Sequence, residues 1–179
     1  MSEAYLLIGG NLGNRYQNIL DAGERIEKLC GKILKSSKVY ETAAWGNIHQ
    51  PDFLNQVLQI QTSLQADQLM AALLTIEKEM GRIRNEKFGA RTIDLDILFY
   101  DSAIIDNQNV TIPHPKIAER CFVLVPLSEI APDLIHPVLQ KNINSLLVEC
   151  PDKLEVRGFF PNVHKNELLF FSAYLSLRE

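Results

Sequence analysis

The chain has 179 residues, of which 46% are hydrophobic and 22% are charged, and its formal net charge is −4. This size and balance predict one folded domain, covering residues 1–179, with its own core. The small negative charge argues against nucleic acid or an anionic membrane as the main partner. Three unevenly spaced cysteines, no signal peptide and no apolar run near the ~20 residues of a membrane span predict a cytoplasmic protein.

The first part of the chain alternates between strand and helix patterns. Short apolar or alternating runs predict strands at residues 4–10, 32–42, 52–63 and 91–100. Apolar residues at helical spacing predict amphipathic helices at residues 14–30 and 65–80. The order β-α-β-β-α-β is that of the ferredoxin-like split motif. We therefore expect an α+β sandwich in which two helices pack on one face of an antiparallel sheet.

The remainder of the chain predicts elements that are added to this sandwich. Residues 104–115 have the pattern of a hairpin, and residues 116–132 and 142–150 have the pattern of helices. Together they predict a C-terminal hairpin and helical extension of the sheet. Residues 151–179 continue the chain as an extension whose role the pattern does not indicate.

The strand "RTIDLDILFY", residues 91–100, places two carboxylates in an apolar run. Because side chains alternate along a strand, one face is expected to pack on the helices, and it carries Ile93, Leu95, Ile97 and Phe99. Asp94 and Asp96 would then share the other face, with their Cα atoms about 6.6 Å apart. Two carboxylates this close repel each other unless cations neutralise them. Oxygen ligands that leave room for water and phosphate suit Mg²⁺ better than zinc.

An isolated Asp-x-Asp pair also has a simpler interpretation as the solvated outer face of an edge strand. So short a motif often matches by chance. Four cations precede the pair in the sequence, namely Arg82, Arg84, Lys87 and Arg91. Such cations suit a polyphosphate that metal ions also hold. This context favours a site for metal and phosphate.

The segment "KFGARTIDLDIL", residues 87–98, resembles the signature of the hydroxymethyl-dihydropterin pyrophosphokinase family of folate biosynthesis. The signature is a basic residue, any residue, Gly, a small residue and Arg, followed by two residues, Asp-Leu-Asp and two aliphatics. Other segments resemble family motifs in the same order: "IGGNLGN", "DFLNQV", "VTIPHP" and "ERCFVLVPLSEIAP". The resemblance covers about residues 4–140.

The resemblance implies an enzyme that transfers pyrophosphate from ATP to the hydroxymethyl group of 6-hydroxymethyl-7,8-dihydropterin and releases AMP. It implies that Asp94 and Asp96 hold two Mg²⁺ ions, and that Arg82 and Arg91 grip the phosphates during catalysis. No protein nucleophile is required, because positioning and charge stabilisation accelerate such transfers. The implied partners are ATP and the reduced pterin alone, bound by a monomer that contacts neither nucleic acid nor membrane.

The resemblance also assigns contacts to each substrate. Asn55 would pair with the amide-and-amino edge of the pterin, because its side chain offers both an acceptor and donors. The other implied pterin contacts are the stacking rings of Phe53 and Phe122, the backbone of Thr42 and Ala43, and Trp45. The implied ATP contacts are Glu77, Arg84, Lys87, Ile97, Thr111, His114 and Arg120. Glu77 could equally pair with Arg82 or Lys78, and Phe122 could equally be part of the core.

Two other classes of protein also fit part of the pattern. A glycosyltransferase with an Asp-x-Asp motif would use the same acid pair, a divalent metal and a nucleotide sugar. It usually needs a doubly wound fold, for which this chain is too short and too antiparallel in pattern. A non-catalytic ferredoxin-like module would bind RNA or a small regulatory ligand. An RNA-binding sheet would present aromatics and positive charge, whereas this chain places aspartates there.

Overall fold

A computed structural model of the chain describes residues 1–44, 50–82 and 89–161. Eight strands lie in this part of the chain: β1 Ser2–Gly10, β2 Lys32–Ser36, β3 Tyr40–Thr42, β4 Phe53–Thr62, β5 Asp94–Tyr100, β6 Ile105–Asp106, β7 Thr111–Ile112 and β8 Val156–Gly158. The described α-helices are α1 Arg15–Leu29, α2 Ala66–Glu79, α3 Cys121–Ile130 and α4 Ile143–Glu149, with a 3-10 turn at Ile117–Glu119. The predicted α+β class is therefore confirmed.

The main sheet is antiparallel, and β4 lies at its centre. The strand order is β5-β1-β4-β3-β8, and β2 also pairs with β4. The predicted strand at residues 32–42 was wrong as one element, because it divides into β2 and β3. Ser37 lies at the break, where its hydroxyl accepts the N–H of Val57 at 3.0 Å while its own N–H donates to the Val57 carbonyl. These two hydrogen bonds interrupt the regular ladder, so that β3 pairs separately with the start of β4.

Helices cover both faces of this sheet. On one face, α1 and α2 bury a core that includes Leu6, Ile8, Leu58 and Ile97. On the other face, α3 and α4 bury a second core that includes Leu7, Val57, Leu98 and Phe99. The sequence predicted helices on one face only, and the structure adds the second layer because the helical extension folds back across the sheet.

A bulge in β5 changes which residues face each core. Leu6 pairs with Ile97, but the next pair is Tyr5 with Phe99, so Leu98 is an extra residue in the ladder. Leu98 and Phe99 therefore both belong to the core beneath α3 and α4. The expectation that Phe99 faces the first two helices was wrong for this reason. The alternation holds at the start of the strand, where Asp94 and Asp96 lie.

The ends of two elements position the site. Gly81 has a left-handed backbone (φ +80°) directly after α2, and the N–H of Arg82 then donates to the Glu77 carbonyl at 3.0 Å. This is a common way for a helix to end, and it turns the Arg82 side chain back towards β5. At the far edge of the sheet, β8 pairs with β3 and converts it from an edge strand into an internal one. None of the described helices is long and apolar enough to cross a bilayer.

Candidate active site

The candidate site is built on two rows of residues that cross the neighbouring strands β4, β1 and β5. Gly9 of β1 pairs with Asn55 of β4 on one side and with Asp94 of β5 on the other. Two residues earlier, Leu7 pairs with Val57 and with Asp96. Because this register has a period of two, these side chains share the face that carries α3 and α4. The predicted pterin residue and the predicted metal ligands are thus brought to one surface.

A cavity of about 300 Å³ opens over these rows. It is lined by Leu7, Gly9, Thr42, Ala43, Gln50, Phe53, Asn55, Arg82, Arg91, Asp94, Asp96, His114, Arg120 and Phe122. The volume lies at the lower end of the range for small-molecule sites. Eleven of these fourteen residues were predicted from the sequence and its resemblance. The other three, Leu7, Gly9 and Gln50, were not distinguishable there as site features.

Asp94 is held between two arginines. One carboxylate oxygen accepts from Arg82 and the other from Arg91. Arg82 donates in addition to Glu77, so a single guanidinium joins two acids. The exposed fractions of the Arg82 and Asp94 side chains are 12% and 23%, which places this network at the inner wall of the cavity. Both arginines predicted to grip phosphate therefore face the predicted metal ligand.

Glu77 lies beneath the acid pair and not in the cavity. The residue is 2% exposed, and its carboxylate accepts the backbone N–H of Leu95 at 2.8 Å as well as the Arg82 guanidinium. Leu95 is the residue between the two aspartates, so this contact fixes α2 against β5 at the motif. Glu77 is thus in the structure a support for Arg82 and the strand, and its predicted contact with ATP is not seen among the cavity-lining groups.

The Asp96 carboxyl lies in an environment that disfavours its charge. Burial raises its pKa to about 7, the neighbouring carboxylates of Asp94 and Glu77 add to the rise, and Arg82 and Arg120 oppose it. Uncompensated negative charge at a carboxyl is relieved when a cation binds beside it. The acid pair is therefore a place where a divalent cation would be stabilised.

The donor set fits a hard cation such as Mg²⁺ that keeps part of its water shell. Asp94 and Asp96 supply carboxylate oxygens on one rigid strand, and both line the cavity. In the described part of the chain, no group of three or more His, Cys, Asp or Glu residues could hold a metal. Mg²⁺ is commonly bound by one or two carboxylates together with water and substrate phosphates, so a two-carboxylate site suits it.

The opposite end of the cavity combines an amide with aromatic rings. Asn55 is 3% exposed, and its amide nitrogen donates to the Thr42 hydroxyl at 3.1 Å, which fixes the direction of the amide. Phe53 lies on the same strand, and Phe122 comes from the first turn of α3. A fixed amide beside two rings can recognise a flat heterocycle by its edge and by its faces.

His114 and Arg120 complete the cavity from the second half of the chain. The N–H of His114 donates to the Leu98 carbonyl at 3.0 Å, which holds the residue next to β5. Burial, together with the positive charge of Arg120, lowers the pKa of the His114 imidazole to about 4. Its Nδ1 accepts the N–H of Lys116 at 3.2 Å, which places the proton on Nε2. At neutral pH this side chain is therefore an uncharged hydrogen-bond donor.

Two further predicted ATP contacts lie elsewhere. The Ile97 side chain is 2% exposed in the core beneath α1 and α2, on the opposite face from Asp96, because neighbouring residues of a strand alternate. The Thr111 hydroxyl donates to Asp106 within the exposed hairpin at 3.1 Å. Neither side chain lines the cavity. Trp45, Arg84 and Lys87 lie outside the described residues.

One residue that the sequence reasoning missed joins both halves of the site. Asn11 is 2% exposed, and its side-chain oxygen accepts the N–H of Arg91 at 2.8 Å. Its amide nitrogen donates to the Pro51 carbonyl at 3.0 Å and to the Gln50 side chain at 3.3 Å. A polar residue that directly follows a strand and two glycines is a weak signal of such a role, since many loops share it.

Comparison with known proteins supports the family resemblance noted in the sequence. The family model described as 7,8-dihydro-6-hydroxymethylpterin-pyrophosphokinase (HPPK) matches residues 5–132. The chain belongs to this family. The match includes every cavity-lining residue, from Leu7 to Phe122.

Similar curated proteins carry names from folate synthesis. The folic acid synthesis protein fol1 of Pneumocystis carinii is 43% identical over 94% of this chain and 23% of its own length. The corresponding protein of Dictyostelium discoideum is 40% identical over 88% of this chain and 24% of its own length. The 2-amino-4-hydroxy-6-hydroxymethyldihydropteridine pyrophosphokinase of Aquifex aeolicus is 41% identical over 83% of this chain and 92% of its own length. This chain thus spans about a quarter of the first two relatives.

Solved structures share the fold. An HPPK-DHPS in complex with substrates has a TM-score of 0.68 at 19% identity, over 83% of this chain and 43% of that chain. The HPPK-DHPS of Plasmodium falciparum has a TM-score of 0.65 at 18% identity, over the same shares of the two chains. At this level of identity the likeness concerns the path of the chain and not its chemistry.

Proposed function

We propose that this chain transfers pyrophosphate from ATP to the hydroxymethyl group of 6-hydroxymethyl-7,8-dihydropterin and releases AMP. One observation carries the proposal: a single cavity holds an amide-and-ring end at Asn55 and an acid-and-arginine end at Asp94, one strand apart. The first end suits a flat heterocycle and the second suits a metal-bound polyphosphate. A reaction that joins these two substrates needs both ends in one enclosure.

We propose that two Mg²⁺ ions bind at Asp94 and Asp96, with ATP as co-substrate. When bound, the ions would neutralise phosphate charge and orient the reacting groups. The two carboxylates provide oxygen ligands on a strand that is fixed from below by the contact between Glu77 and the Leu95 N–H. The raised pKa of Asp96 supports this assignment, because a cation beside the carboxyl would return it to its ionised form.

We propose that the arginines would exchange partners when the substrates bind. In the structure, Arg82 and Arg91 both donate to Asp94. Both guanidiniums would then turn their donors to phosphate oxygens, which a planar guanidinium can bind in a bidentate manner. Asp94 would be left to hold a metal ion, which would supply the positive charge that the arginines withdraw. Arg82 keeps Glu77 as an anchor during this exchange, so its position is retained while its partner changes. These residues would stabilise the charge that develops on the transferred group.

Further side chains would act at the phosphates and at the pterin. His114 would donate through Nε2 as a neutral group, and Arg120 would add a full positive charge beside it. Asn55 would bind the pterin edge, with Phe53 and Phe122 on its faces and Thr42 and Ala43 alongside. From outside the described residues, we retain Trp45 as a pterin contact and Arg84 and Lys87 as ATP contacts. Thr111, Ile97 and Glu77 are retained as proposed ATP contacts, although they do not line the cavity.

The finer statements about the fold and its context are proposals as well. The path from β1 to β5, with two helices on one face, is what a ferredoxin-like sandwich requires, and we propose that arrangement. We propose that residues 1–179 form one domain, with β8 as the part of the extension that joins the sheet. We also propose a monomer in the cytoplasm that takes up ATP and pterin without nucleic acid or membrane. Sedimentation and fractionation would test these last points.

The test of the activity is direct. The purified chain is mixed with 6-hydroxymethyl-7,8-dihydropterin, ATP and Mg²⁺, and the nucleotide products are separated. AMP and the pterin diphosphate should appear in equal amounts, and Asp96→Ala should make neither while keeping its circular dichroism spectrum. ADP in place of AMP would contradict pyrophosphate transfer. Turnover of a nucleotide sugar in a parallel reaction would favour the glycosyltransferase interpretation instead.

A further inference from the structure

Gly9 is the residue that separates the two ends of the site. It pairs with Asn55 on one side and with Asp94 on the other, and it lines the cavity between them. Strands in a sheet lie about 4.8 Å apart, so the residues on either side of Gly9 are about 10 Å from each other. The backbone at this point is all that lies between the amide and the acid on this face.

A side chain at Gly9 would meet the Asn55 amide. A Cβ built on Gly9 would lie 2.9 Å from the Asn55 side-chain oxygen, and its next neighbours would be the Leu54 carbonyl oxygen at 3.9 Å and the Asn55 amide carbon at 4.0 Å. A separation of 2.9 Å is too short for a carbon and an oxygen that are not bonded. The atom in the way is the end of a side chain, so the amide would move and the strand would not.

A Cβ at Gly10 or at Gly23 would have different neighbours from a Cβ at Gly9. A Cβ at Gly10 would lie 2.4 Å from the Thr92 carbonyl oxygen, which is backbone and cannot rotate away. A Cβ at Gly23, inside α1, would meet nothing within 4 Å. Substitution at Gly10 would therefore disturb the fold, whereas substitution at Gly23 would leave both the fold and the site intact. Gly9 lies between these cases, because its substitution displaces one functional group.

We infer that Gly9 is a positioning residue for ligand recognition, because its missing side chain keeps the Asn55 amide in the direction that the ligand requires. The Asn55 amide nitrogen donates to the buried Thr42 hydroxyl at 3.1 Å, so the amide has one set direction in the cavity. A Cβ at Gly9 would push the oxygen out of that direction and break the pairing with a flat ring that offers matched donors and acceptors. The inference rests on the proposed function, with the pterin as the ligand.

The experiment compares Gly9→Ala with the wild-type chain and with Gly23→Ala as a matched control. AMP formation is measured while pterin and ATP are varied separately. Gly9→Ala should raise the KM for pterin about 10-fold or more, because small misplacements of a recognition group are costly, and change the KM for ATP less than 3-fold. Gly23→Ala should match the wild type in both constants. Melting temperatures of all variants show whether the fold is retained.

A second pair of variants tests whether the effect passes through Asn55. In an Asn55→Ala chain the clashing oxygen is absent, so adding Gly9→Ala should lower kcat/KM for pterin less than 3-fold further. An equal loss in both backgrounds would overturn the inference, and so would a Gly9→Ala chain with the wild-type KM for pterin. A wild-type chain that makes no AMP would overturn the proposed function itself, which separates the two failures.

Discussion

The guanidinium carbon of Arg91 lies 5.6 Å from the centroid of the Phe53 ring. This contact joins a side chain of the phosphate end to a ring of the pterin end, within the cation–π range. A second pair repeats it, since the guanidinium of Arg120 lies 5.6 Å from the Phe122 ring. Each ring predicted to stack on the pterin therefore also holds an arginine. In the proposed function, pterin stacking and charge stabilisation would therefore depend on side chains that contact each other.

Phe53→Leu tests this sharing, because it keeps apolar volume and removes the ring. We expect kcat to fall and the KM for pterin to rise, each about 3- to 10-fold, since a cation–π contact is worth about 0.5–1 kcal/mol and stacking is lost as well. Steady-state kinetics with both substrates varied would measure this. Phe53→Tyr keeps the ring and should stay within 3-fold of the wild type. A loss in KM alone would show that Arg91 does not depend on the ring.

Asp96→Asn is expected to stabilise the metal-free protein while abolishing AMP formation. Since the folded pKa of Asp96 is raised to about 7 from an ordinary value of 3.8, the folded state binds the proton more tightly than the unfolded state. The stability that comes from the protonated Asp96 carboxyl is complete below pH 4 and is lost as the pH rises through 7. The free energy of unfolding of the variant should therefore exceed that of the wild type by about 4 kcal/mol at pH 8 and by little at pH 4. Urea unfolding with EDTA at both pH values would measure it, and equal gains at both would contradict it.

His114 should destabilise the folded chain in acid. Its folded pKa is lowered to about 4 from 6.5, so the unfolded state binds more protons between these values. The stability that comes from the neutral imidazole is complete above pH 6.5 and is lost as the pH falls through 4. His114→Asn keeps an acceptor for the Lys116 N–H and does not titrate. Between pH 7 and pH 4.5, the free energy of unfolding of this variant should fall by about 1–2 kcal/mol less than that of the wild type. The prediction would be refuted if the free energies of unfolding of the wild type and of His114→Asn changed equally with pH.

Phe159→Ala should loosen the strand that carries Thr42. The Phe159 N–H donates to the Val39 carbonyl at 2.8 Å, and its ring lies 5.7 Å from the Tyr16 ring of α1. Loss of this ring should cost about 2–3 kcal/mol locally and speed amide exchange in β3. Hydrogen exchange resolved by peptide would measure it. Phe160→Ala is the control, because that side chain is 81% exposed and should leave the exchange unchanged.

The sequence predicted the features that depend on local periodicity. The alternation around Asp94 and Asp96 placed both acids on one face, and the helical spacing of Leu69, Leu73 and Ile76 placed α2 against the sheet. Ile97 shows the same rule, since a residue next to Asp96 on a strand must face the opposite core. The ATP contact predicted for Ile97 came from the resemblance, and it stays a prediction.

Features that depend on pairing between distant segments could not be predicted. The bulge at Leu98 follows from its contact with the α3 core, and the break at Ser37 follows from hydrogen bonds to Val57, 20 residues away. The neighbours of Gly9 follow from the register of two strand pairs, which no local pattern fixes. The burial of Glu77 beneath the acid pair also required the docked position of α2. The contacts of Trp45, Arg84 and Lys87 stay predictions.

The cover that α3 and α4 give to β5 differs along the strand, and this limits how the chain can vary. Asp94 and Asp96 stand at the open end of β5, whereas Leu98, further along the same face, is fully enclosed. An insertion of two residues that moved the motif along β5 by one strand repeat would keep the acids on the same face of the sheet. It would, however, bury them under α3. Homologous chains should therefore tolerate length changes in the loop before β5 and reject them within the strand.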